Sequence, residues 1–164
     1  MASGDTLAVF TPLANVPPAT ANATLDTRNG HPVLDFDATT DEQAVFGGVL
    51  PRNYGGGGVT VAIAWMATTA TTGDVVWTAA FEAHADDAFD LDADGFAAAN
   101  SATGTTASAS GEVQYTDIAF TDGADMDSLA AGESYRLKIT RDADNGSDTM
   151  TGDAELLRVE IRET

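Results

Sequence analysis

Two stretches of period-two alternation, separated by a short polar segment, constrain the fold of this chain more than any other feature. In Val59-Thr60-Val61-Ala62-Ile63-Ala64-Trp65-Met66 one face carries Val59, Val61, Ile63 and Trp65. Beyond Thr72-Gly73-Asp74 the pattern recurs, with Val75, Trp77, Ala79 and Phe81 on one face and Val76, Thr78, Ala80 and Glu82 on the other. Successive side chains of an extended strand point to opposite sides, so each run buries one face and turns the other away from the core. The sequence holds no long amphipathic 3.6-residue repeat, which removes helical bundles and helix-covered parallel sheets from consideration.

Shorter runs of the same kind fall at Val33 to Ala38, Gln43 to Leu50, Val113 to Thr121, Tyr135 to Ile139 and Ala154 to Arg162, the last with Leu157, Val159 and Ile161 inward. Gly55 to Gly58, following Tyr54, form a permissive turn that links strands. Strands recurring at roughly 10 to 20 residues predict an all-β, antiparallel β-sandwich of jelly-roll type over residues 31–164, with an immunoglobulin-like Greek key as the second topology. Residues 1–30, with Pro12, Pro17 and Pro18 among Ala, Thr and Asn, read as an extended N-terminal arm able to lie on a neighbouring subunit, with a disordered leader as the equal alternative. Residues 85–111 read as a long excursion, acidic at first and then rich in small residues, with a helical turn at Phe96 to Ala99; a second helical turn is expected at Met126 to Ala130.

Charge restricts function. Lys plus Arg number 7 against 26 for Asp plus Glu, a formal charge of -19, and Lys138 is the sole lysine. Such a chain repels itself until counterions screen it, and the screening length falls to about 3 Å in molar salt. Adaptation to hypersaline solvent is the reading that follows. Binding to a phosphate backbone depends on Lys and Arg displacing counterions, so nucleic acid is not an expected partner, and neither is an anionic membrane. The start, MASGDTLAVF, lacks the basic and apolar regions of a signal peptide, which predicts synthesis in the cytoplasm without a cleaved leader. With no cysteine, thiolate chemistry and disulfides are excluded.

The sharpest local pattern is Asp90-x-Asp92-x-Asp94-Gly95, the first half of a calcium loop, in which alternate carboxylates converge on one ion. The glutamate expected at the twelfth position is Ser101, so a solvated acidic loop is the competing reading. Asp142, Asp144 and Asp148, around Asn145-Gly146, offer the same chemistry at a place where a turn is needed anyway. Calcium is thus the only cofactor considered. His31 and His84 are the only histidines; Asp86 and Asp87 follow His84, yet no serine lies in a nucleophile elbow. Glu82 and Glu42 beside strand aromatics are the least unsuitable acids for glycosidase chemistry, and an enzyme is not expected. Trp65, Trp77 and Phe81 fall on core faces, leaving Tyr54 as the aromatic expected to be exposed and to contact a ligand.

The segments LDFDATTDEQAVFGGVLPRNYGGGGVTVAIAW, TTGDVVW and MDSLAAGESYRLKITRDADNGSDTMTGDAELLRVEI, in that order, resemble a pattern in small proteins of tailed phages and prophages encoded among virion genes. The resemblance covers about residues 31 to 162 and rests on the order of Leu34 to Thr40, Leu50-Pro51 with Tyr54, Trp65, Trp77, Ala131-Gly132-Glu133, Arg141-Asp142 and Asp148-Thr149. It implies a jelly-roll structural protein of the virion, here in a halophilic variant: a capsid decoration protein, or part of a tail or fibre; the alternative is a receptor-binding adhesion module that takes host surface glycan on Tyr54 and residues 85–111. The implied partners are other copies of the chain, as a homotrimer, and the major capsid or tail proteins. The resemblance brings no catalytic residues.

Overall fold

The computed structural model describes residues 2–164. The strands are β1 (Thr6–Phe10), β2 (Thr24–Arg28), β3 (His31–Phe36), β4 (Glu42–Val49), β5 (Val59–Ala67), β6 (Asp74–His84), β7 (Asn100–Thr105), β8 (Gln114–Phe120), β9 (Ser134–Arg141) and β10 (Ala154–Glu163). A six-stranded sheet has the order β2-β3-β10-β5-β8 with β1 also on β10, and a four-stranded sheet has the order β4-β9-β6-β7. The paired strands are antiparallel. Each connection from β3 to β6 and from β7 to β10 passes from one sheet to the other, the winding of a jelly roll.

Alternation places the core as the sequence predicts. Val59, Val61, Ile63 and Trp65 of β5 face Val75, Trp77, Ala79 and Phe81 of β6, and Tyr135, Leu137 and Ile139 of β9 complete the layer. Trp65 and Trp77 lie 6.0 Å apart between ring centroids, and Phe36 meets Trp77 edge-on at 5.0 Å. Arg141 is buried among these residues and donates to the carbonyls of Phe36, Met150 and Gly152 and to the Asp148 carboxylate.

The N-terminal segment departs from the expected arm. β1 pairs with β10 and β2 with β3, inside the six-stranded sheet. Between them the chain runs along the outer edge of β4: the Val16 N–H donates to Val45 C=O at 2.8 Å, the Val45 N–H to Asn15 Oδ1 at 2.9 Å, and the Gln43 N–H to Ala21 C=O at 2.7 Å. An edge strand exposes main-chain groups that need partners, and this segment of the same chain supplies them at Gln43 and Val45. Asn29 and Gly30, both at positive φ (47 and 79), form the two-residue hairpin turn between β2 and β3.

Four other expectations are corrected. The small-residue tract contains β7, pressed so closely on the core that a Cβ at Gly104 would lie 2.2 Å from Thr116 Oγ1. Phe96 to Ala99 is not helical, because the Ala97 N–H donates to Phe81 C=O as the chain begins to join β6. The second helical turn is a 3-10 turn at Ala124–Met126, overlapping the expected span only at Met126. In β10 a register shift between Leu156 and Arg158 moves Leu157 out of the core and puts Leu156 in its place.

Candidate functional site

The register shift in β10 organises the outer face of the six-stranded sheet. Leu156 and Val159 both belong to the core cluster, so the two residues between them, Leu157 and Arg158, are both left outside it. Beside the shift, β3 pairs with β10 only as far as Leu156, and β1 takes over from Val159. The gap between these two strands opens a groove. One hollow of about 290 Å³ is lined by Arg28, His31, Val33, Met66, Val113 and Leu157. A second of about 280 Å³, bounded by Thr11, Pro12, His31, Pro32, Leu157 and Arg158, shares His31 and Leu157 with it.

The floor beside the groove is β5, whose outward residues Ala62 and Ala64 are small and buried. Ala64 is flanked by Arg158 on β10 and by Tyr115 on β8. Because alanine leaves the space free, the two long side chains meet above it, with Arg158 Nη2 3.4 Å from the Tyr115 hydroxyl. Tyr115 is 63% exposed and Val113 is 41% exposed. Arg28, Arg136, Arg141 and Arg162 are paired with Glu155, Glu82, Asp148 and Asp117, and Lys138 lies 4.7 Å from the Phe96 ring centroid. Among the described residues Arg158, like the exposed Arg52, has no carboxylate partner, in a chain where carboxylates outnumber cations 26 to 7.

The residues singled out from sequence are distributed elsewhere. Asp90, Asp92 and Asp94 do not converge: Asp90 Oδ1 accepts the Asp92 N–H at 3.0 Å and Asp94 Oδ2 the Asp90 N–H at 2.7 Å, so these carboxylates hold their own exposed turn. Asp142 and Asp144 do come together, but with Asp41, their ligand atoms lying within 4.8 Å of one another. These three are the described residues that could hold a divalent cation. The Asp41 charge and a hydrogen bond with Asp142 raise the Asp144 carboxyl above its ordinary value. Asp148 is turned inward onto Arg141, Nη2 to Oδ1 at 2.8 Å, and is spent on that ion pair.

Tyr54 is half-buried against the core, which corrects the expectation that it is the exposed aromatic. Its hydroxyl accepts the Gly58 N–H at 2.8 Å and lies 3.0 Å from Asp122 Oδ1, fixing the glycine turn. Burial, with the Asp122 carboxylate, outweighs the Gly58 N–H and pushes its pKa up to about 12. It still borders a hollow of about 320 Å³ with Gly55, Gly56 and Asp122.

One unexpected alignment occurs on the outer face of the four-stranded sheet. His84 Nδ1 lies 3.0 Å from Ser134 Oγ and Nε2 3.2 Å from Glu82 Oε1. Arg136 grips both Glu82 oxygens at 2.8 and 2.7 Å. Burial raises the Glu82 carboxyl, yet the hydrogen bonds from Arg136 and His84 outweigh it and hold its pKa below the usual value. Ser134 occupies a regular strand position opposite His84, without the strained turn that presents a nucleophile. This is a cross-strand polar ladder.

No family model matches the chain, and the comparison with curated proteins finds no match. Among solved structures it is similar to the CBM22-1 xylan-binding domain of Paenibacillus barcinonensis Xyn10C, with a TM-score of 0.51 and 11% identity over 99% of this chain and 96% of that one. It is also similar to the K3 cleaved adhesin domain of Lys-gingipain from Porphyromonas gingivalis, with a TM-score of 0.49 and 15% identity over 99% and 98%. The first likeness places the chain in the β-sandwich fold that the strand pattern predicts.

Proposed function

We propose that this chain is a non-catalytic recognition module that binds an acidic polysaccharide on the outer face of its six-stranded sheet, as a component of a virus particle. The observation that carries the ligand reading is the Tyr115–Arg158 pair above Ala64, at the rim of the Leu157 groove. A pyranose ring has an apolar C–H face and a polar edge, which suits an exposed tyrosine ring beside a charged donor. Arg158, lacking a carboxylate of its own chain, favours a sugar bearing carboxylate or sulfate, since guanidinium matches such groups with paired hydrogen bonds. That a xylan-binding domain has this sandwich fold supports the polysaccharide reading. The resemblance of residues 31–162 to virion proteins supports the particle. On this reading the chain belongs to a tail, fibre or other host-facing element more than to a purely decorative shell.

Affinity electrophoresis in molar salt, with neutral and acidic polysaccharides cast in the gel, tests the ligand. Acidic polymers are expected to retard the protein, and Tyr115→Ala and Arg158→Ala to abolish that retardation while leaving the melting temperature unchanged. Absence of retardation by every polymer, or retardation unaltered in both variants, overturns the ligand reading. Peptide mass spectrometry of purified particles tests the location separately.

A further inference from the structure

Between Asp5 and Asp26 the chain carries no charged residue, in a sequence whose formal charge is -19. The fold gathers this run on one side of the sandwich. β2 is the last strand of the six-stranded sheet and β4 the last of the four-stranded sheet, and the uncharged segment bridges them. Four large apolar side chains stand exposed at this side: Leu13 at 70%, Val16 at 61%, Leu25 at 54% and Val49 at 59%. Monomeric proteins expose single apolar residues freely, but a group of them on an uncharged strip is the mark of a contact surface. The outer side of β2 has no strand on it. The segment that covers β4 reaches Gln43 and Val45, leaving the stretch to Val49 with open strand-edge groups.

We propose that this side is the contact through which copies of the chain associate with one another. Charge selects the occupant. Two bodies each carrying -19 repel strongly, and screening over about 8 Å at physiological ionic strength, or 3 Å in molar salt, does little for charges brought into direct contact. A close approach between copies therefore requires a surface without carboxylates on both partners, and the strip from Leu7 to Leu25 is that surface. Apolar burial between copies supplies the attraction, and open strand edges supply main-chain partners. Thr11 and Pro12 of the strip also bound the Leu157 hollow, whereas Tyr115 lies at the β8 end of the sheet, away from β2. The two proposals stand or fall separately.

The test is light scattering on the full chain after size exclusion in molar salt, across a range of protein concentrations. The expected result is a mass that is an integral multiple of the single chain and that strengthens with salt. Leu13→Asp combined with Val16→Asp is expected to return the single-chain mass with the melting temperature kept, because both residues are exposed. Leu25→Asp, on a different element, is expected to weaken association as well, which guards against a folding defect in the first variant. A wild-type chain that stays single at every salt and concentration, or an oligomer that survives all these substitutions, overturns the proposal.

Discussion

Removing Asp148 separates two roles that the spacing Asp142, Asp144, Asp148 leaves open. The Arg141 and Asp148 side chains are 0% and 1% exposed, and they are joined by Nε to Oδ2 at 3.1 Å and Nη2 to Oδ1 at 2.8 Å. Asp148 Oδ2 also accepts the Val76 N–H at 3.0 Å. Asp148→Ala strands a guanidinium in the core with carbonyls alone for company, and breaking a buried pair from one side costs about 3–5 kcal/mol. For a domain of this size that corresponds to a fall in melting temperature of roughly 6–20 °C. Urea unfolding in molar potassium chloride measures it, read from the midpoint at constant slope, with calcium and with chelator. The loss is expected in both conditions. A loss below about 1 kcal/mol, or one seen only with calcium, refutes the assignment of Asp148 as the anchor of Arg141. Replacing both residues by apolar ones is expected to recover part of the stability, because it removes the stranded charge; recovery stays partial because the carbonyls of Phe36, Met150 and Gly152 lose their donor.

Three further outcomes follow from the packing and the charge distribution. Trp65 Nε1 donates to Thr116 Oγ1 at 2.9 Å while Trp77 Nε1 is buried without a partner, so Trp65→Phe should cost about 1–2 kcal/mol more than Trp77→Phe in the same urea assay. Burial, reinforced by Asp153 and Glu155, lifts Asp35 from 3.8 to about 6. Its ionised form is disfavoured in the folded chain, so this contribution to stability is complete below pH 3.8 and is lost as pH rises through 6; Asp35→Asn should flatten the melting temperature over that window. Asp41 raises the Asp144 carboxyl, so Asp144→Asn should increase the melting temperature in low salt, with the gain fading as salt is added.

The core was legible because period two is a property of the backbone: once β5, β6 and β9 are recognised as strands, their inward residues follow without knowledge of their partners. Leu157 escaped that logic because one extra residue in β10 reverses the alternation, and no local composition marks the shift. β1 and β2 were missed for different reasons. The alternation in β1 is too short to stand out, whereas β2 and β3 flank Asn29-Gly30, a recognised hairpin signal that the prolines upstream overshadowed. Asp41 joins Asp142 and Asp144 although it lies 101 positions before Asp142, a proximity that spacing cannot reveal. Tyr115 sits in a strand whose alternation was recognised; that its outward face would be uncovered depended on the Ala64 floor and on β8 closing one end of the sheet.

The distribution of the few cations joins fold to function. A carboxylate-rich surface gains solubility in salt but offers little that is specific to an anionic ligand or to another acidic protein. Arg28, Arg136, Arg141 and Arg162 hold strands and loops together through their carboxylate partners, and so serve the fold. Arg158 is placed differently: β10 spends its regular register to bring this side chain out beside Tyr115. If Arg158 were there only to relieve local negative charge, Arg158→Gln would lower stability in low salt and leave binding in molar salt intact. If it reads a ligand, the same substitution lowers affinity for acidic polysaccharide in molar salt, where surface electrostatics contribute least to stability, and leaves the melting temperature unaltered.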